Sequence, residues 1–489
     1  MTDHPRFASA PGALPVLGHA VRLGRRPLDF LASLAAHGDL VRIKLGPMPF
    51  YVLCDPDLVH RVLVDDRTYD KGGAIFDLVR TVAGNGLATC PHDDHRQQRR
   101  LLQPAFHRDR LPEYAKVMSA EVAVMLDGWT ESRELDVLAT VNEFAATLAT
   151  RTLFAAELDD ATFEELRLCM HTVMTGMMRR MLLPWSFLNR LPTSSNRRFD
   201  RARARLRQYV AQLTSDYRRA GVDHGDLLSI LLAVRDDQGQ GLTDAEIHDQ
   251  VFTFYLGGSE TSAPALSWAL YLLGRNPDIR KRLHDEVDTV LAGRIAQYDD
   301  IPNLRLTHRV IMESLRLYPP GWLFTRVTTK DAELAGRRLP AGSVVVYSPH
   351  IVHHRADLFP DPERFDPDRW GDDSVRLPRG AFTPFGSGAR KCIGEDFALT
   401  EATLALASIV ARWELDPLPE AHTRLSPRLS ATPRSLPMSL RERTPSTIPT
   451  GVVPLPGKPA GTAVRTPGQP AGEVGSGTHR KRSRGVAGV

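Results

Sequence analysis

The sequence predicts a mainly α protein with small β-sheets, an α+β class, built as one large domain. Three observations predict it. Apolar residues recur at helical spacing from Thr243 to Leu273, and again through IGEDFALTEATLALASIVARW after Cys392. From Arg110 to Ala220 one helical pattern follows another, broken near Pro184 and Pro192. Strand-like runs are few and short.

Taken in order, a Pro-rich lead, PGALPVLGH, precedes a helix around Pro27 to Ala36 and two strands, Leu40 to Leu45 and Phe50 to Cys54. A helix from Pro56 to Val64 follows. Tyr69 to Asp94 is Gly-rich and reads as a long irregular loop, with Ile75, Phe76, Leu78, Val79 and Val82 not packed by period; such loops are often functional. The next stretch, HDDHRQQRRLLQPAFH, is a basic helix with His95 and Arg99 one turn apart on one face, beside Arg96 and Arg100. Met170, Met174, Met177, Met178 and Met181 form an adaptable apolar segment, suited either to helix packing or to a lid over a bulky apolar ligand.

Thr243 and Glu246 make a capping box that opens a helix of about 45 Å, ended by Gly274 and Pro277. Its middle, LGGSETSAPA, is a poor helix former: Gly257 and Gly258 weaken it, and Pro264 cannot donate to the carbonyl of Glu260. A kink or widened turn is expected between Gly257 and Pro264. Glu313 and Arg316 are i and i+3 on a helix within Asn303 to Tyr318, and strands at Glu333 to Leu339 and Ser343 to Ser348 follow.

Cysteine usage and charge narrow the class. Cys54, Cys90, Cys169 and Cys392 form no C-x-x-C pair and no closely spaced framework, which points to a reducing compartment without disulfides or a zinc site. The formal charge is +4, but residues 441–489 hold eight Lys or Arg against two Asp or Glu, leaving −2 on the rest and no case for nucleic acid. Residues 1–46 contain no run able to span a bilayer and no signal-like start, so a soluble, cytoplasmic monomer without membrane contact is expected. Residues 1–9 read as a flexible start, 10–440 as the folded domain, and 441–489, rich in Pro, Gly and Thr, as a basic tail that should not fold.

The chemistry centres on FTPFGSGARKCIGEDFA. Cys392 precedes a helix, so the amides of Ile393 and Gly394 and the helix dipole favour a thiolate, which is a metal ligand or a nucleophile. Phe385, Gly386, Gly388 and Gly394 around it leave backbone bare where something flat must approach. The pattern F-x-x-G-x-x-x-C-x-G, from Phe385 to Gly394, resembles the signature of the cytochrome P-450 family.

That resemblance extends over about residues 10 to 440, with the other signals in the family's order. It implies a single haem domain of the cytochrome P-450 fold, with haem b on Cys392 and Phe385 packed on the thiolate side. By the same resemblance, His95, Arg99, Arg326 and Arg390 would anchor the haem propionates. Gly257, Gly258, Glu260, Thr261 and Ser262 look like the oxygen-activation groove, where Thr261 and Glu260 would deliver protons to O2. Glu313, Arg316 and Arg369 match a buried Glu-Arg-Arg cluster of structural role.

The implied reaction is a haem-thiolate monooxygenase, hydroxylating an unactivated C–H bond of an apolar small molecule. Electrons from NAD(P)H would arrive through a ferredoxin and its reductase, since nothing in the chain resembles a flavin or iron-sulfur domain; Arg96, Arg100 and Lys391 would meet that acidic partner. Ile75, Phe76, Val79, Leu256, Gly257, Trp322 and Phe324 suggest an apolar substrate pocket. VRIKLGP, GNGLATCPHDDHRQQRRLLQPAFH, EIHDQV and GGSETSA are similar to bacterial members that oxidise sesquiterpene hydrocarbons such as pentalenene and epi-isozizaene. Fatty acids, steroids and macrolides are the alternative substrates. A haem-thiolate sensor is the alternative of a different class, and a peroxide-using or isomerising enzyme is a third.

Overall fold

Two apolar cores, joined by one long helix, organise the computed structural model, which describes residues 7–154, 159–182, 191–221, 223–371, 377–419, 422–427 and 430–444. The long helix runs from Asp244 to Arg275, with the Thr243 and Glu246 side chains capping each other's backbone amides. Its first half, with Ile247, Val251, Phe252 and Tyr255, belongs to one core; its second half, with Ala263, Leu266, Ala269 and Leu273, belongs to the other. The crossing point is the Gly-rich middle.

No break interrupts this helix, contrary to the expected widened turn. Two side chains bond back one turn: Ser259 Oγ donates to the Tyr255 carbonyl at 2.7 Å and Thr261 Oγ1 to the Gly257 carbonyl at 2.6 Å. Pro264 supplies no amide to the Glu260 carbonyl, and these i−4 bonds lie in the turns just before it.

The larger sheet has six strands, ordered Ala8–Ser9, Leu40–Leu45, Met48–Leu53, Val344–Tyr347, Phe324–Thr328, Tyr69–Asp70. A second sheet joins Trp413–Pro417, Pro437–Glu442 and Ser132–Asp136. Its last strand carries Arg441 and Glu442, and Arg443 pairs with the buried Asp288 at 2.9 Å, so the folded unit reaches past residue 440. The tail from 445 onward, Pro184 and the side chains of Ile75, Met178 and Met181 lie outside the described residues.

The stretch after Tyr69 is not an irregular loop: Ala74–Ala83 is a helix, called here the roof helix, with Val79 and Ala83 buried. Positive φ at Gly73 and Gly84 marks its two ends, so the glycines that suggested disorder are its terminators. The methionines also resolve. Met170, Met174 and Met177, on the helix Asp160–Leu182, are packed in the core with Phe199 and Leu206 from the helix Ser194–Ala220, as helix-packing residues.

Candidate active site

Cys392 lies just before the helix Glu395–Arg412, whose N-cap is Gly394. The loop is closed by the Cys392 amide on the Phe385 carbonyl, 2.9 Å, and by the Gly386 amide on the Thr383 carbonyl, 3.1 Å. Gly388, with φ of +69°, passes so close to Leu63 that a Cβ would stand 2.5 Å from its carbonyl oxygen. Gly386, with φ of +73°, has open space on its side-chain side, as does Gly257 on the long helix. Phe385 packs against the larger core.

The thiol is surrounded by protein yet accessible on one side. Its burial pushes the Cys392 pKa up, while the Gly394 amide and the cations Arg99 and Lys71 pull it down. Gly257 and Thr261 are likewise exposed, although they sit where a helix crosses between two cores. Ile393 and Leu256 lie against the same apolar cluster as Val79, which links cysteine loop, long helix and roof helix.

Beside the thiol is an excess of positive charge. Arg326 is 3 % exposed, donates to the Thr325 carbonyl and lies 5.4 Å from the Tyr347 ring centre, with no carboxylate partner among the described residues. Lys71 donates to the Ala88 carbonyl at 2.8 Å; burial, then Arg326 and Arg390, bring its pKa down to about 7. Burial, with Arg390, Lys71 and Arg99, also brings buried His95 down to about 3, so its imidazole is neutral and able to donate one N–H. A buried cation without a counter-ion is costly. The residues therefore fit a group that brings two carboxylates and a thiolate-seeking metal, as haem does.

Two expected anchors are engaged elsewhere. Arg390 is held by Asp66 at 3.2 Å, Asp70 at 2.8 Å and the Cys90 carbonyl at 2.8 Å. Arg99 donates to the Lys391 carbonyl, next to the cysteine, and to Gln103. Both brace the loop in this arrangement. Trp322 and Phe324, expected to reach towards substrate, are also occupied: Phe324 stacks on Tyr347 at 4.9 Å and Trp322 packs against the cluster containing Phe30 and Ile351. Phe76 remains half-buried on the roof helix.

Behind the loop, Glu313 and Arg316 are wholly buried and paired at 2.8 Å, and Arg369 reaches the same carboxylate at 3.3 Å. Arg316 also donates to the carbonyls of His353, Pro362 and Arg364, and Trp370 and the Asp366 amide donate to Glu313. Every polar atom of the pair is thus committed. His353 carries the bracing forward, with one ring nitrogen 3.2 Å from the Arg316 carbonyl and the other accepting the Thr383 amide at 3.0 Å.

Sequence reasoning missed Lys71, His353 and Glu401. Glu401, on the cysteine helix, is buried and accepts a bond from Ser262 Oγ of the long helix at 2.9 Å; burial pushes it up to about 8. A lone carboxyl among ALTEATLALA was the available signal. Glu260 is half-buried beside Thr261.

The profile of the family described as Cytochrome P450 matches residues 9–439. The chain belongs to the cytochrome P450 family. The family implies haem, O2 and an outside source of electrons for this cytochrome P450, and it is a monooxygenase. It is 48% identical over 413 residues to cyclooctat-9-en-7-ol 5-monooxygenase of Streptomyces melanosporofaciens, covering 84% of this chain and 90% of that one. It is 46% identical over 450 residues to pentalenene oxygenase of Streptomyces avermitilis, covering 91% and 100%. A solved structure, of the cytochrome P450DA heme domain, superposes with a TM-score of 0.81 at 26% identity, covering 90% of this P450 and 98% of that chain. Among the described residues no helix is long and apolar enough to cross a membrane.

Proposed function

We propose that this P450 hydroxylates an unactivated C–H bond of a cyclic terpene hydrocarbon or its simple alcohol. The observation that carries the site assignment is the accessible Cys392 thiol near the buried Arg326 and the half-buried Lys71, neither of which has a carboxylate ion-pair partner among the described residues. Haem b, when bound there, supplies O2 reduction and O–O cleavage assisted by thiolate donation. Cys392 would ligate its iron, and Lys71, Arg326 and His95 would hold its two carboxylates, with Arg390 and Arg99 fixing the loop. Phe385 and the loop glycines give the ring a flat bed.

Thr261 Oγ1 lies at the open face of the long helix with its proton donated to the Gly257 carbonyl, and turning that proton outward makes Thr261 the donor there. Glu260, next to it, passes protons on to that hydroxyl. The Glu313, Arg316 and Arg369 cluster keeps the loop in register. The substrate class rests on the two relatives, one named for the hydrocarbon pentalenene and the other for the alcohol cyclooctat-9-en-7-ol, and on the apolar cluster from Val79 and Leu256 to Ile393.

Electrons from NAD(P)H enter through a ferredoxin and its reductase. A groove of about 1010 Å³ on the cysteine side, lined by Arg96, Arg99, Arg100 and Arg110 against the two acids Asp66 and Asp109, together with Gly388 of the loop, is net basic and suits an acidic partner. Arg100 and Lys391 are partly neutralised there by Asp237 and Glu395. The test has two steps. Reduced protein with carbon monoxide should show the strongly red-shifted Soret band of sulfur-ligated haem, and terpene hydrocarbons should shift the resting Soret band while fatty acids, steroids and macrolides do not. Thr261→Ala should cut product and raise peroxide release at unchanged substrate affinity. No response to any terpene refutes the substrate class, and unchanged coupling in Thr261→Ala refutes the proton role.

A further inference from the structure

Three of the stretches above have no part in the chemistry so far: GNGL at 84–87, the second glutamine of HDDHRQQRR, and EIHDQV at 246–251. In the fold they meet. Gln250, on the long helix and wholly buried, accepts the Leu87 amide at 3.0 Å and donates to Gln98 Oε1 at 3.0 Å. Gln98, on the basic helix, donates in turn to the Asn85 carbonyl at 2.9 Å, and Asp249 accepts the Asn85 amide at 2.8 Å. Two glycines let the segment lie flat on the long helix. A Cβ at Gly84 would stand 2.0 Å from the Asp249 carboxylate, and one at Gly86 would stand 2.1 Å from Thr253 Oγ1.

This segment is the exit of the roof helix, Ala74–Ala83. The entry is tied separately, by Thr325 Oγ1 on the Gly72 carbonyl at 2.8 Å, and Gly73 has a φ of +90°. The roof helix is thus a short rod between glycine joints, pinned to the sheet at one end and to the long helix at the other. Gln250 sits on the same helix as Thr261, so the height of the roof is set from the element that carries the proton donor. A hydrocarbon offers no polar handle, and only the shape of the cavity can decide which C–H bond is presented.

We propose that Gln250, Gln98 and Asn85 form a latch that fixes the roof helix against the long helix and thereby determines which substrates fit and which carbon is oxidised. The latch residues are positioning residues. This rests on the reading above that the roof helix covers an apolar substrate cavity. Gln250 is suited to the task because its amide supplies one acceptor and one donor in opposite directions. An apolar side chain of the same length leaves the Leu87 amide and Gln98 Oε1 without these partners in the interior.

The test uses haem-loaded Gln250→Met, with Gln98→Met breaking the same chain from the other helix and Gln250→Glu keeping the acceptor for the Leu87 amide. In the substrate-free protein, hydrogen exchange over residues 85–90 should quicken by about 10- to 100-fold in both Met variants and less in Gln250→Glu, with residues 266–273 unchanged. Binding of a size series of substituted imidazoles to the haem, read by the Soret band, should show the affinity ratio of bulky to small ligand rising about tenfold. With a terpene that the wild type oxidises, the Met variants should give additional regioisomers. Unchanged exchange, or faster exchange with an unchanged imidazole ratio and unchanged products, overturns the latch and leaves the terpene reading intact. A wild type that oxidises no terpene, alongside the expected exchange and imidazole responses, overturns the terpene reading and leaves the latch standing.

Discussion

Replacing Glu401 by Gln should remove a pH dependence of stability that the wild type carries in one buried carboxyl. Among the described residues Glu401 has no cation beside it and its one side-chain hydrogen bond is from the Ser262 hydroxyl at 2.9 Å; burial raises its pKa from 4.5 to about 8. An acid whose folded pKa is raised binds its proton more tightly in the native state. Its stabilising contribution is complete below the unfolded pKa and is lost as pH rises through the folded one. At about 1.4 kcal/mol per pH unit, the loss between pH 4.5 and 8 is about 4 kcal/mol, of which about 2 kcal/mol falls between pH 6 and 8. Gln keeps a polar partner for Ser262 and titrates nowhere in that range. Urea unfolding of the two haem-loaded proteins, followed by far-UV circular dichroism, should therefore show the variant gaining about 2 kcal/mol on the wild type from pH 6 to pH 8, and nothing further above pH 9. Infrared difference spectra should show a protonated carboxyl band in the wild type at pH 7, lost with a midpoint near 8 and absent in Glu401→Gln. Parallel stability curves, or a band already gone at pH 6, would refute the argument.

Arg316→Met should cost about 3–5 kcal/mol, because it strands the buried Glu313 carboxylate, and the readout is the yield of folded, haem-containing protein; a variant as stable as wild type contradicts it. Lys71→Met should leave the fold intact while haem transfer to apomyoglobin quickens by about ten- to a hundredfold, since one charge-assisted contact is worth about 1.5–3 kcal/mol. Transfer at the wild-type rate would remove Lys71 from the anion site. Gly388→Ala and Gly386→Ala share a positive φ and its penalty of about 1–2 kcal/mol. Only the first also forces a Cβ against the Leu63 carbonyl, so haem content should collapse in Gly388→Ala and fall little in Gly386→Ala.

What the sequence by itself determined was whatever local spacing encodes. The glycines and aromatic ring around Cys392, the Thr243 cap with its apolar period, and the Glu313 and Arg316 pair ahead of a Pro-rich turn are each complete within a few residues. Their meaning survives without knowing the neighbours, and the family and its monooxygenase activity followed from them. The roof helix was legible too, had the glycines at 72, 73 and 84 been read as ends of a ten-residue apolar period.

Only the tertiary structure decided the electrostatics and the fit. Arg390, Arg326 and Lys71 are equivalent cations in sequence, yet Asp66 and Asp70 form ion pairs with the first while the other two have none among the described residues, because the partners come from segments some three hundred residues apart. That Phe324 stacks on Tyr347, and that Trp322 packs against the cluster containing Ile351, could not be read from their own stretch of sequence. Glu401 and the glutamine pair became visible only when two helices closed over them. Burial and charge compensation depend on what else the chain folds against a group, and no window of sequence contains that information.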